Sequence, residues 1–370
     1  MARVKQNGWS FTPLDLLLVA VPFAIALRYV GGWRNDTLLF LISAIAIVPL
    51  AGWMGRGTEQ LARRSGAGVG GFLNATFGNA AELIIALVAL SKGLTGVVKA
   101  SITGSIIGNL LLVLGASILV GGVRYQKQTF NQTAARISAT SLGLGAIALI
   151  TPTIFHRAAA SRPGGWSLEA EQRLSLAIAF VLFLTYFFSL FFHLFTHREL
   201  FAGPSETQED EATWPLWQSI TTLTLATILI AWLSEFLVGS IESARHSLGL
   251  TETFVGVVVV ALVGNAAEHS TAVIMAWKNK MDLSLSIATG SSLQMALFVT
   301  PLLVFASSAL GDPMTLEFSV PQIAAIVLSI WIVGQISGDG ESNWLEGVQL
   351  LSVYAIIAVL FYFLPALPTQ

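Results

Sequence analysis

The chain has 370 residues, of which 54% are hydrophobic and only 11% charged, with a formal net charge of −2. Soluble domains carry about 25% charged residues, so these few could not coat a globule of this size, and apolar runs long enough to cross a bilayer point to an integral membrane protein. The balance of charge offers no basic footprint for nucleic acid, and the absence of cysteine excludes disulfides, thiolate metal sites and cysteine nucleophiles.

The first apolar run, Leu14 to Val30, is not followed by a small-residue cleavage site and reads as a retained span rather than a signal peptide. Runs separated by Gly, Pro or charge give about 11 spans by the length rule. They lie at roughly 12–31, 37–55, 70–91, 97–121, 134–152, 170–196, 215–243, 253–277, 283–310, 319–336 and 346–365. None shows the alternation of a barrel strand, so helices are expected throughout. The longest hydrophilic interruption, Arg198 to Thr213, carries Glu206, Glu209, Asp210 and Glu211. It divides the chain into an N-terminal extra helix (1–34), a first five-helix repeat (35–197), an acidic linker (198–213) and a second five-helix repeat (214–370). Lys and Arg are somewhat more frequent in the loops on the side of the N-terminus, which favours a cytoplasmic N-terminus and a cytoplasmic linker.

The division rests on a repeat. Gly78-Asn79-Ala80-Ala81-Glu82 and Gly264-Asn265-Ala266-Ala267-Glu268 are identical and 186 positions apart. At the same offset Ala86 matches Ala272, Lys92 matches Lys278, and Thr103-Gly104-Ser105 matches Thr289-Gly290-Ser291. Small residues recur in all membrane helices, but an Asn and a Glu inside a shared pentapeptide, with a second triplet in register, point to duplication. Five spans per copy is an odd number, so the second copy enters the membrane upside down. The fold class expected is therefore all-α, about 11 transmembrane helices arranged as one N-terminal helix plus two inverted five-helix repeats.

Nine residues separate Glu82 from the charged end of its run at Lys92, and Glu268 is equally deep relative to Lys278. At ~1.5 Å per residue both lie roughly halfway through the hydrocarbon. A carboxylate there is costly and usually functional. The expectation is that both face the bundle interior and each other. Two such groups cannot both stay ionised and empty; a divalent cation neutralises the pair, and so do two protons. That alternative is the core of an exchange mechanism. A Glu hydrogen-bonded for packing is the structural alternative.

Ca2+ takes about six to eight oxygens, and two carboxylates supply at most four. Asn79 and Asn265 each stand three residues before a Glu, on its helix face. Gly78 and Gly264 are candidate helix breaks that would free carbonyls toward a cation, with close helix packing as the alternative. Ser105 and Asn109 (i,i+4), and Ser291 and Gln294 (i,i+3), form a second polar set able to ligate a cation, hold water, orient the glutamates or bond between helices. Glu59, Glu235 and Glu242 are candidates for an entry vestibule or for interfacial caps. His269 follows Glu268 and either assists proton transfer or packs.

The segments Asn74-Ala75-Thr76-Phe77-Gly78-Asn79-Ala80-Ala81-Glu82 and Val263-Gly264-Asn265-Ala266-Ala267-Glu268-His269 resemble the two signature repeats of the cation/proton exchanger family, the Ca2+/H+ antiporters of the cation/Ca2+ exchanger superfamily. The likeness covers essentially the whole chain. It implies alternating inward- and outward-facing states around the glutamate pair, with Glu82 and Glu268 as shared Ca2+/proton ligands and Asn79, Asn265, Ser291 and Gln294 as polar neighbours. Ca2+ and H+ are then transported substrates, no cofactor is expected, and the chain is not an enzyme. The acidic linker is short beside that of many relatives. A plasma membrane is favoured over an organellar one. The nearest rival is a Na+/Ca2+ exchanger of the same superfamily. A passive cation channel is a third reading. An intramembrane hydrolase is the fourth, but His269 and Ser270 are adjacent and point to different helix faces.

Overall fold

Where no water is available to bond the backbone, a spanning chain has to satisfy its own N–H and C=O groups, and the apolar runs accordingly form helices. The computed structural model describes residues 12–30, 35–160, 167–197 and 214–365. The acidic linker expected at 198–213 lies outside the described residues. Among the described residues, eight helical stretches are long and apolar enough to cross a membrane: Asp36–Arg64, Thr95–Arg124, Gln132–Ala160, Leu168–Thr196, Leu216–Gly239, Glu252–Trp277, Met281–Leu310 and Trp344–Phe363. The other three expected spans are shorter or interrupted. The first is a 3-10 turn, Pro13–Val19, running into α1, Ala20–Tyr29. The third is broken into α3, Gly66–Phe77, and α4, Ala80–Ser91. The tenth is α15, Val320–Ile336.

The chain divides into two compact units that do not follow the sequence halves. The first takes residues 1–88, 190–249 and 263–267. Its centre is α2 (Asp36–Arg64) packed on α9 (Leu216–Gly239). Gly57 allows the approach: a Cβ there would sit 3.3 Å from the Leu223 nitrogen and the Ser219 carbonyl oxygen. The buried Asp15 ties the N-terminal turn to α2. It accepts from Trp53 Nε1 at 2.7 Å and Arg56 Nη2 at 2.7 Å, and Arg56 also lies over the Trp53 ring. Breaking such a buried pair by removing one member costs about 3–5 kcal/mol. After Ser240 the chain turns into the short amphipathic α10, Ile241–Leu248, where a single span to residue 243 was expected; Gly249 ends it in a left-handed conformation.

The second unit takes residues 89–189, 250–262 and 268–370. Two bent helices form its centre. One is α5 (Thr95–Ile107), a π turn (Gly108–Val113) and α6 (Leu114–Arg124). The other is α13 (Met281–Gln294), a π turn (Met295–Val299) and α14 (Thr300–Leu310). Shifted by 186, the first π turn falls on 294–299, so the extra backbone residue recurs in register to within one position. Helix α13 packs against α5, the first π turn and α6, and α5 packs also against the second π turn. Ser292 Oγ lies 3.4 Å from the Ile106 carbonyl oxygen, and 106 and 292 are themselves repeat mates. A residue can touch its own mate only beside a two-fold axis, so the inverted relation is visible inside this unit.

Around this pair stand α7 (Gln132–Ala160), α8 (Leu168–Phe191), α11 (Glu252–Phe254), α12 (Ala261–Trp277), α15 and α16 (Trp344–Phe363), with α12 also giving 263–267 to the first unit. A two-residue antiparallel pairing joins β1, Gln128–Thr129, to β2, Glu341–Ser342. The loop after α14 is pinned by side chains: Leu316 N–H donates to Ser175 Oγ, Phe318 N–H donates to Thr153 Oγ1, and Lys99 Nζ donates to the Glu317 carbonyl at 2.7 Å. On α5, Gly104 is pressed against the Val257 backbone of a further π turn, Val255–Val260, so closely that a Cβ would overlap the carbonyl; its mate Gly290 has open space. Gly104→Ala should therefore destabilise the protein by about 1–3 kcal/mol through overpacking, whereas Gly290→Ala should stay within about 0.5 kcal/mol. Thermal unfolding in detergent of the two variants checks the contrast.

Candidate cation site

Helix α3 ends at Phe77, and Gly78 and Asn79 form a turn before α4 begins at Ala80. Gly78 itself keeps helical dihedrals and donates its N–H to the Asn74 carbonyl at 2.9 Å, so the interruption in the first repeat is a two-residue turn. It places Glu82 in the first turn of α4, near the amide end of a short helix whose dipole favours negative charge. Asn79 and Glu82 are both buried.

The second repeat differs. Gly264 and Asn265 stand inside the unbroken α12, and the irregular segment is the π turn Val255–Val260 upstream. Gly264 does not break the helix. Its missing side chain serves a close approach: within the first unit, a Cβ there would lie 2.6 Å from Glu82 Cγ. Asn265 is as buried as Asn79. Glu268 is one turn beyond Gly264 on the same face of α12.

In the second unit Ser291 hydrogen-bonds the Glu268 side chain. The other carboxylate oxygen, Oε2, is shielded from solvent and has no hydrogen-bond partner among the described residues. His269 Nε2 lies 3.2 Å from Asn109 Oδ1, so the ring donates to the amide oxygen and the expected choice between proton carrier and packing group acquires a specific partner. Asn109 sits in the first π turn, and Ser105 one turn before it; both are buried, as is Ser291, while Gln294 is half-buried at the end of α13. Both glutamate helices end alike. Gly93 (φ 74) and Asn279 (φ 60) are mates in left-handed conformations, with Leu94 N–H donating to Ala89 O at 3.0 Å and Lys280 N–H to Met275 O at 2.9 Å.

Known proteins resemble the chain along nearly its whole length. The profile described as sodium/calcium exchanger protein matches residues 35–195 and 218–363. The chain belongs to the sodium/calcium exchanger family. It is 46% identical to a Ca(2+)/H(+) antiporter of Synechocystis sp., over 95% of this chain and 97% of that protein. It is 42% identical to the Ca(2+)/H(+) antiporter ChaA of Bacillus subtilis, over 94% of this chain and 99% of that protein. Among solved structures, native YfkE superposes with a TM-score of 0.82 at 39% identity, covering 95% of this chain and 100% of that one. The H+/Ca2+ exchanger CAX gives a TM-score of 0.67 at 15% identity, over 95% of this chain and 91% of that one, a likeness of fold.

Three other acids of this exchanger do not converge. Glu59, Glu235 and Glu242 are all exposed. Glu59 pairs with Arg63 at 2.7 Å near the C-terminal end of α2. Glu242 belongs to α10, whose Ser243 lies 3.4 Å from Asp36 at the N-terminal end of α2. The 23 residues from Asp36 to Glu59 span about 35 Å of helix, so Glu59 and Glu242 stand at opposite ends and cannot line one vestibule. Asp15, Lys99 and Gln128 were not singled out by sequence. A charge inside an apolar run flags the first two; the third stands in a polar loop with no such signal.

Glu242 hydrogen-bonds Arg245 through both carboxylate oxygens, and His246 adds a further bond. The Arg245 bonds hold its carboxyl well below the ordinary 4.5, at about 2. A depressed carboxyl contributes its stabilisation above the unfolded value and loses it as pH falls through the folded one. Amide protection of α10 should therefore persist from pH 7 to about 4.5, fall progressively below that, and have lost the contribution of the pairing by about 2. Hydrogen exchange across 241–248 measures it, and loss already at pH 5 would contradict the pairing.

Proposed function

We propose that this protein exchanges Ca2+ for H+ across a membrane by alternating access, with Glu82 and Glu268 as the Ca2+/proton-binding carboxylates. The observation that carries the reading is the state of Glu268: one oxygen satisfied by Ser291, the other buried with no partner among the described residues. A buried carboxylate oxygen of this kind needs a proton or a cation. The relatives that match nearly the whole chain bear the same function in their names. Ca2+ is cargo here, and no resident cofactor is invoked. The chain is read as a transporter and not an enzyme.

Each residue acts as follows. Glu82 and Glu268 give up protons when Ca2+ binds and take them back when it leaves, so the doubly ionised empty state is avoided and unloaded return is suppressed. Asn79, Asn265, Ser105, Asn109, Ser291 and Gln294 supply neutral oxygens or orient the carboxylates, which answers the demand of Ca2+ for more ligands than two carboxylates provide. Gly264 keeps room for the Glu82 stem. His269, held by Asn109, stands beside Glu268 in sequence and stiffens its surroundings. The cell membrane with a cytoplasmic N-terminus is the reading for location, and vacuolar relatives make the organellar alternative concrete.

A Na+/Ca2+ exchanger of the same family is the second reading, favoured by the wording of the family profile. Reconstituted vesicles separate the two. An imposed proton gradient should drive 45Ca2+ uptake without Na+, and a Na+ gradient at fixed pH should not. Glu82→Gln and Glu268→Gln should abolish uptake while the protein still folds, because an amide can neither bind the exchanged proton nor carry the charge. Gly264→Ala should weaken apparent Ca2+ affinity by about 10–100-fold, the cost typical of disturbing a group that supports a metal ligand. Wild-type-like uptake by either glutamine variant would remove that residue from the mechanism.

A further inference from the structure

Gln128 lies in the loop between α6 and α7, yet its side chain is only 1% exposed. Its amide nitrogen donates to the Ala276 carbonyl at 2.9 Å and to Asn279 Oδ1 at 3.0 Å. Both acceptors belong to the C-terminal end of α12, the helix that carries Glu268. Helix ends leave carbonyls without intrahelical partners, and here a distant loop supplies the donor. The other face of the carboxamide rests on α6: a Cβ on Gly121 would overlap Gln128 Oε1. That oxygen is buried and has no hydrogen-bond partner among the described residues. The carboxamide is thus wedged between two helix ends. Arg124 adds a second tie, donating to the Trp277 carbonyl at 3.3 Å and lying over the Trp277 ring.

The stripe it grips leads to the site. Glu268, Ala272 and Ala276 succeed one another at four-residue spacing on one face of α12, and both alanines are fully buried. From its other end the same helix is held to the α5–α6 arm by His269 and Asn109. The first repeat has no counterpart of this device. At the repeat offset Gln128 corresponds to Met314, and Arg124 to Leu310, whose side chains carry no hydrogen-bond donor.

We infer that Gln128 is a positioning residue for the cation site: wedged against Gly121, it clamps the end of α12 and sets the depth at which Glu268 is presented. This rests on the reading of Glu268 as a Ca2+/proton ligand. It assigns a role to a residue outside the repeats' polar motifs, and it makes the second repeat's glutamate the one held by a dedicated anchor.

The test uses the full-length protein in proteoliposomes, with proton-driven 45Ca2+ uptake measured over a range of Ca2+. Gln128→Met keeps the bulk and removes the donors. It should raise the apparent KM for Ca2+ about tenfold, the lower end of what disturbed support of a metal ligand costs, with Vmax within about twofold. Gly121→Ala should raise KM alike by displacing the carboxamide. In the double variant Gly121→Ala, Gln128→Ala, the added methyl has nothing to displace, so KM should be no higher than for Gln128→Ala alone. An unchanged KM in Gln128→Met and Gly121→Ala overturns the inference, as does strict additivity of the pair or an effect confined to the amount of folded protein. Hydrogen exchange of amides 274–280 supplies a readout that needs no transport: protection should fall in both single variants. If the wild type fails to exchange Ca2+ for H+ but these amides respond, the functional reading fails and the clamp stands; if they do not respond, the clamp fails whatever the transport result.

Discussion

Every polar group that this chain carries into the hydrocarbon has to be answered from within the protein, because lipid offers it nothing. That constraint decides the arrangement of the charged and amide side chains. Asp15 is answered by Trp53 and Arg56, Lys99 by Thr315 and the Glu317 carbonyl, His269 by Asn109. Among the described residues Glu268 is answered at one oxygen only. The contrast separates structural polarity from working polarity. A fully satisfied group fixes packing, whereas a carboxylate with an open oxygen stays available to an ion that comes and goes.

The helical spans were legible because hydropathy reports burial from water, which the bilayer imposes uniformly along a run. The glutamate motifs were legible for the opposite reason, as polar residues where polarity is expensive. Backbone detail was not. Gly78 and Gly264 occupy identical pentapeptides, yet only the first interrupts a helix. The π turns change hydrogen-bond register without changing hydropathy, so no pattern announces them. Glu59 and Glu242 looked like members of one acidic group, since sequence shows that both are acids but not that they flank opposite ends of the same long helix.

The two repeats are alike in their frame and unlike in their contacts. Gly93 and Asn279 end corresponding helices with the same left-handed turn, one with no side chain and one with an amide that accepts from Gln128. Gly104 is crowded by the Val257 backbone, while Gly290 faces open space. Gln128 hooks a helix end, while Met314 at the matching position is simply buried. Duplication supplied equivalent backbones, and later substitution gave each copy separate attachments.

The recurrence of a π turn at the same place in both bent helices has a historical consequence. A π turn is a one-residue insertion accommodated without breaking the helix. Finding it twice in register means that the two copies share a backbone irregularity as well as a motif, the mark of a common origin for both bent helices.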